Sequence, residues 1–193
     1  MTATGNPIRS IVVVGGGSAG WMAATALATY LGKQASIRLV ESDEIGIIGV
    51  GEATIPHIAT FNRILGIPEP EFMRATQATF KLGINFEGWK NIGQDYFHSF
   101  GSTGNDHWSA GFQHFWLKGL KRGISREFGE YCKEWVAAKR NRFAVLPNQG
   151  LNYAYHIDAS AYAQFLRKMA EEHGVRRLEG QIRQVHRDGE SGF

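Results

Sequence analysis

The 193-residue chain carries 21 basic and 18 acidic side chains, and its formal charge of +3 is too mild to indicate a nucleic-acid partner. Its length allows one ordinary domain with a sizeable core. The single cysteine, Cys132, excludes an internal disulfide and suits the cytoplasm, and the scattered histidines offer no metal-ligand cluster.

Residues 1–8 read as a loose leader. The next stretch, IVVVGGGSAGWMAATALATYLG (11–32), holds no charge. It is long enough for a membrane span, which needs about 20 apolar residues. Arg9 ahead of it and Ala26-Leu27-Ala28 within it imitate an export signal. Its texture argues otherwise. Ile11 to Val14 are β-branched and suit a buried parallel strand. Glycines then interrupt, and Ala23, Leu27 and Leu31 recur at helical spacing. The segment reads as strand, glycine turn and helix.

Gly15-x-Gly17-x-x-Gly20 in that turn fits the dinucleotide-binding pattern. Gly15 permits the tight turn, Gly17 the close approach of backbone to a pyrophosphate, and Gly20 the packing of helix on sheet. Ser18 and Ala19 open the helix, whose N–H groups and dipole would face the phosphate charge. SIRLVE then predicts a second strand ending in Glu41. That carboxylate lies 21 residues past Gly20, near the interval expected for an acid that holds a ribose hydroxyl.

After a loop rich in glycine and isoleucine, Thr54 and Pro56 can open a helix with Ile58, Phe61 and Leu65 inward and Gly66 at its end. EFMRATQAT predicts a further short helix. The period then becomes two. Phe80, Leu82, Ile84 and Phe86 share the expected core face of one strand, with Lys81, Gly83 and Asn85 on the other. DYFHSFG predicts a second strand with Tyr96, His98 and Phe100 on a common face. Residues 105–145 are aromatic-rich and read as helical, including a helix from about Ser125 to Ala138. On its stripe of Phe128, Tyr131, Cys132, Trp135 and Val136, Cys132 reads as packed core and not as a nucleophile. NYAYHI predicts a strand, and Asp158 is suited to cap a helix with Tyr162, Phe165, Leu166 and Met169 inward. Gly174 closes that helix. VRRL and QIRQV predict short strands. The basic runs KRNR and Arg176-Arg177 read as solvated helix ends.

The expected fold class is therefore α/β, built on a Rossmann-type nucleotide-binding fold. Residues 9–56 hold the first βαβ unit and the loop after it. Residues 57–150 form a helical and strand insertion, and 151–193 return to the nucleotide-binding sheet.

GGGSAGWMAA, GVGEATIP, FKLGI, YFHSFG and YHIDA occur in the order found in flavin-dependent tryptophan/indole halogenases. The chain resembles that family over essentially its whole length. The resemblance implies an FAD-monooxygenase-like core, bound FAD, and chlorination or bromination of tryptophan or another indole, an oxidoreductase activity of antibiotic or secondary metabolite biosynthesis. A separate NAD(P)H-dependent flavin reductase would supply reduced flavin, with O2 and halide as co-substrates. Hypohalous acid would then travel to a catalytic lysine, which by resemblance is Lys81. A lysine offers three N–H donors, and desolvation makes its amine a nucleophile.

His98 and Phe100 match the pair that sandwiches the indole, where stacking would make position choose the halogenated carbon. Gly46 to Ala53 match the flavin strap, which adds Gly49, Gly51 and Ala53 to the expected cofactor contacts. Ile182 falls where such proteins meet adenine with a strand backbone. Glu52 reads as a structural cap. The resemblance admits a homodimer and implies neither a membrane nor a nucleic-acid partner. A Trp-x-Trp-x-Ile-Pro motif, a Gly-Asp flavin contact, a later glutamate and a Thr-Gly halide site have no counterpart here. The chain thus reads as an N-terminal portion, inactive by itself. An FAD-dependent aromatic hydroxylase and a non-catalytic nucleotide-binding module are the competing readings.

Overall fold

The glycine-centred turn sets the start of the fold. β1 (Ser10–Val14) enters it, and α1 (Ser18–Leu31) leaves it. In this computed structural model, residues 7–45, 51–145, 150–186 and 189 are described. A 3-10 turn follows α1, and then come β2 (Ser36–Glu41), β3 (Gly51–Ala53), α2 (His57–Ile64) and α3 (Glu69–Thr76). Next are β4 (Thr79–Lys81), β5 (Gly83–Glu87), β6 (Asp95–Ser99), α4 (Phe112–Lys121) and α5 (Lys133–Lys139). The chain continues with β7 (Ala154–Asp158), α6 (Ala159–Glu172) and β8 (Arg176–Glu179). It divides into two compact units, one of Met1–Glu52, Asn62–Ala78 and Ile157–Phe193, the other of Ala53–Phe61 and Thr79–His156.

The first unit holds a parallel sheet in the order β1-β2-β8. Ser10 pairs with Ser36 and Val14 with Val40, while Arg38 to Glu41 pair with Arg176 to Glu179. Trp21, Ala24, Thr25 and Ala28 form the buried stripe of α1. The Thr25 hydroxyl lies 2.7 Å from Trp21 O and 3.1 Å from Leu166 O, which ties α1 to α6. Phe72 meets Tyr162 edge-on at 5.4 Å. The buried Tyr162 hydroxyl donates to Asn62 Oδ1 at 3.1 Å, and burial pushes its pKa well above the usual phenol value.

Three expectations for this unit change. The Ile11–Val14 run does form a parallel strand, but it is not buried on both faces, since Val12 and Val14 are exposed. QIRQV forms no strand. A strand exists only by lateral hydrogen bonding, and β2 ends at Glu41, so the segment after β8 has run out of partner. Gly180 N–H still reaches Glu41 O, at 2.9 Å, and the Gln181 side chain reaches Glu44 at 3.2 Å. Arg177, finally, lies on β8 with its side chain largely covered, and is not a solvated helix end.

The Asp158 cap forms as expected, its carboxylate accepting from Ala161 N–H at 2.9 Å. Asp158→Ala is expected to cost about 1 kcal/mol, read from the urea midpoint at unchanged slope.

In the second unit β4 pairs antiparallel with β7, Thr79 opposite His156 and Lys81 opposite Ala154. β5 and β6 form a hairpin running from Gly83 opposite Ser99 to Glu87 opposite Asp95. The single period-two strand expected from Phe80 to Phe86 is therefore split at Leu82 between two sheets. Gly83 permits the crossing, because a Cβ there would lie 2.4 Å from His98 O. The burial also inverts the expectation: Phe80 is 37% exposed and Lys81 only 8%.

The helix expected over Ser125 to Ala138 is likewise broken. A 3-10 turn at Phe128–Tyr131 ends in the extended Cys132 (φ −121°, ψ 125°), and α5 starts afterwards. Cys132 is buried, as expected, while Phe128 and Tyr131 remain exposed. No helix among the described residues is long and apolar enough to cross a membrane.

Candidate functional site

In the first unit the fingerprint glycines take distinct parts. Gly15 adopts φ +103°, a region that favours glycine. A Cβ on Gly20 would lie 1.9 Å from Gly15 O, so the helix seats directly on the turn. A Cβ on Gly17 would meet nothing within 4 Å. Gly17 is the N-cap of α1, with no side-chain cap bond and no acid in the first helical turn. Ser18 and Ala19 begin the helix, and Ser18 Oγ donates to Ala159 O at 3.3 Å. Uncapped N–H groups at a helix start attract anions, and the open space over Gly17 suits a pyrophosphate. These residues fit a dinucleotide such as FAD.

Glu41 ends β2 beside this turn, and its carboxylate lies over Gly16, where a Cβ would fall 1.4 Å from Oε2. Gly16 is thus a further required glycine, outside the three-glycine pattern. Trp21 Nε1–H donates to Glu41 Oε2 at 3.3 Å, Arg177 Nε–H to Oε1 at 2.5 Å, and Arg167 lies 3.6 Å from Oε1. Arg177 also binds Asp43, and Glu179 at 2.6 Å. The hydrogen bond to Glu41 is the first cause of a raised Arg177 pKa. Glu179 is held below its usual range, first by Asp43 N–H and then by Arg177. This network fixes the direction of a carboxylate that can accept ribose hydroxyls. Nothing in the local motif announces Trp21, Arg167 or Arg177.

Among the other expected cofactor contacts, Gly51 and Ala53 are exposed on β3. Gly49 lies outside the described residues. Ile182 is 41% exposed in the irregular segment after β8.

In the second unit Lys81 ends β4 with its Nζ donating to Thr54 O at 2.9 Å. That carbonyl belongs to a residue held on both sides by Tyr155: Thr54 N–H donates to Tyr155 O at 2.9 Å, and Thr54 Oγ1 accepts from Tyr155 N–H at 2.9 Å. Thr54 lies within GVGEATIP, but its place before a helix gives no sign of the Lys81 contact. The Lys81 Nζ also lies 5.3 Å from the centroid of Phe100. Burial lowers the Lys81 pKa from its ordinary 10.5. The residue lines a cleft of about 450 Å³ with Phe80, Phe97, Phe143 and His156.

His98 stands on β6 opposite Ile84 and lines a different cleft, of about 520 Å³, with Tyr96, Phe97, Trp135 and Lys139. Phe100 follows β6, its N–H donating to Leu82 O at 2.9 Å. The structure therefore brings Lys81 and Phe100 together and sets His98 on the neighbouring cleft, with Phe97 common to both. A partly desolvated amine beside aromatic faces can donate a strong hydrogen bond or act as a nucleophile on an electrophile.

A family model for tryptophan halogenases matches residues 10–193. The structure superposes on Xcc4156, a flavin-dependent halogenase from Xanthomonas campestris, with a TM-score of 0.91 and 60% identity, covering 97% of this chain and 38% of that one. BrvH, a flavin-dependent halogenase from Brevundimonas sp. BAL3, gives 0.84 and 41%, covering 96% and 38%. The tryptophan 7-halogenase RebH of Lentzea aerocolonigenes is 38% identical over 200 residues, covering 94% of this chain and 38% of RebH. The chain thus spans 38% of the length of each of these relatives. Its α/β fold is that of the flavin-dependent halogenases, and the chain belongs to the tryptophan halogenase family.

Proposed function

We propose that this chain is the N-terminal part of a flavin-dependent halogenase that places chlorine or bromine on tryptophan or another indole. The observation that carries the reading is the buried Lys81 amine, its pKa lowered by desolvation, beside the ring of Phe100. In this reading Gly15, Gly17, Ser18, Ala19 and Gly20 bind the FAD pyrophosphate, Glu41 the ribose, and Gly49, Gly51 and Ala53 the flavin, with Ile182 near the adenine. Reduced FAD, delivered by a separate NAD(P)H-dependent reductase, would supply two electrons to O2, which takes two more from halide, so that one oxygen atom ends in hypohalous acid and the other in water.

The residues of the second unit then govern where that acid reacts. Lys81 Nζ–H donates to its oxygen, which weakens the oxygen–halogen bond. His98 and Phe100 hold the flat substrate by stacking. The ring carbon bonds to halogen as the oxygen–halogen bond breaks, the hydroxyl leaves as water with a proton from the Lys81 ammonium, and the proton lost by the ring to solvent balances the one the amine regains.

The test is incubation of the full-length protein with FAD, a flavin reductase, bromide or chloride, and tryptophan or indole, read by mass spectrometry. A product heavier by one halogen in place of hydrogen is expected. An oxygenated product without halogen would overturn the reading in favour of hydroxylation.

A further inference from the structure

Glu134 has no task in the chemistry proposed above, yet it is 3% exposed, and among the described residues it has no ion pair. Removing a carboxylate from water without a cation is costly, so its contacts are informative. Asn152 N–H donates to Glu134 Oε1 at 2.7 Å. Cys132 S–H donates to Oε2 at 3.4 Å. The Cys132 sulfur lies 3.1 Å from Ser99 Oγ. A carboxylate only accepts, and a thiol has one hydrogen. With that hydrogen directed at Glu134, the sulfur receives the Ser99 hydroxyl. The relay therefore runs from Ser99 to Cys132 to Glu134.

Its far end is the residue between His98 and Phe100. Gly101, one step further, touches the same carboxylate, since a Cβ there would fall 1.7 Å from Glu134 Oε2. Successive side chains of a strand point to opposite faces. Ser99 is thus tied from the side away from His98, and Gly101 lets the backbone lie flat against the buried acid. Two grips on residues 99 and 101 fix the rotation of this segment about its own axis. That rotation sets the direction of the Phe100 ring, 5.3 Å from Lys81 Nζ.

We infer that Glu134 is a positioning residue for the aromatic-substrate site: through Cys132, Ser99 and Gly101 it sets where His98 and Phe100 present their rings, and so which substrate carbon faces Lys81. The inference rests on the functional reading above.

Its test uses the full-length protein with Glu134→Ala, Glu134→Gln and Ser99→Ala. Folding is checked by circular dichroism and FAD content by absorbance. Glu134→Ala is expected to lower kcat/KM by about 100-fold, chiefly through KM for the aromatic substrate, as a displacement near 1 Å would. Halogen should also spread over more than one ring position. Glu134→Gln keeps an acceptor for Asn152 N–H and should restore the wild-type product. Ser99→Ala cuts the relay at its other end, and it carries the test if Glu134→Ala does not fold. Calorimetric affinity for tryptophan or indole supplies a readout independent of turnover.

Wild-type KM, affinity and product ratio in a folded Glu134→Ala or Ser99→Ala protein would sink the positioning role. If instead Lys81→Ala leaves turnover intact, the functional reading fails separately. A wild-type protein that neither binds nor halogenates an indole overturns both.

Discussion

In the full-length protein, Lys81→Met is expected to lower halogenation by at least about 10²–10³-fold while leaving stability close to that of the wild type. The two halves of this result have different causes. An ammonium aimed at a reacting oxygen is worth about 10²–10³-fold in rate where single preorganised donors have been removed, and a nucleophilic role would raise that further. Stability is a near balance. The Lys81 ammonium is buried with Thr54 O as its hydrogen-bond acceptor and the Phe100 ring as its other partner. A hydrogen bond contributes about 1 kcal/mol and a ring contact about 0.5–2 kcal/mol. Desolvation of the charge opposes those gains, as the lowered pKa shows, so the substitution nearly balances. Methionine is similar in length, apolar, and suited to a cleft walled by Phe80, Phe97 and Phe143.

The pH dependence gives the same argument a sign. The folded-state pKa lies below the ordinary 10.5. Between the two values the unfolded chain binds more protons, so stability rises with pH across that window. Lys81→Met should lack the rise. Thermal denaturation of both proteins from neutral pH to about 10.5 measures it. A variant that loses turnover and melts well below the wild type would mean that Lys81 is a structural residue.

The parts legible in the sequence are those whose physics is local. A positive φ at Gly15, a helix seated against Gly15 O at Gly20, and a carboxylate cap at Asp158 are each settled within a few residues. The place of Glu41 at the end of β2 was legible because a βαβ unit has a fixed length. What was not legible depends on distant partners. Arg177 resembles any basic residue near a helix until Glu41, 136 positions earlier, closes on its guanidinium. The alternation around Lys81 placed Phe80 in the core. In the fold, Phe80 stacks on Phe143 at 3.8 Å at the surface, and Lys81 takes the interior. Cys132 was legible as buried but not for the reason given. It faces Ser99 and Glu134, whereas the stripe it was assigned to is broken by its own extended backbone. Glu134 itself carried no signal, since a charge at the start of a helix is ordinarily solvated.

Gly17→Ala and Gly20→Ala should separate cofactor binding from folding within one motif. At Gly20 the added methyl meets Gly15 O at 1.9 Å, a backbone atom that has no rotamer to escape into. The turn or the helix must move, at a cost of about 1–3 kcal/mol or more. At Gly17 the same methyl meets nothing within 4 Å, and the backbone, φ −69° and ψ 178°, already suits alanine. A poorer N-cap and a less flexible unfolded chain then nearly cancel, leaving stability within about 0.5 kcal/mol of wild type. The open space over Gly17 is where a pyrophosphate would lie. A methyl there should weaken FAD by about 5–150-fold, the equivalent of 1–3 kcal/mol of crowding. Flavin fluorescence titration measures the affinity, and thermal denaturation without FAD measures the stability. Gly20→Ala should melt early, whereas Gly17→Ala should melt normally and bind poorly. If Gly17→Ala binds FAD as tightly as wild type, the dinucleotide does not approach the backbone at this turn, and the phosphate role of the fingerprint is lost with it.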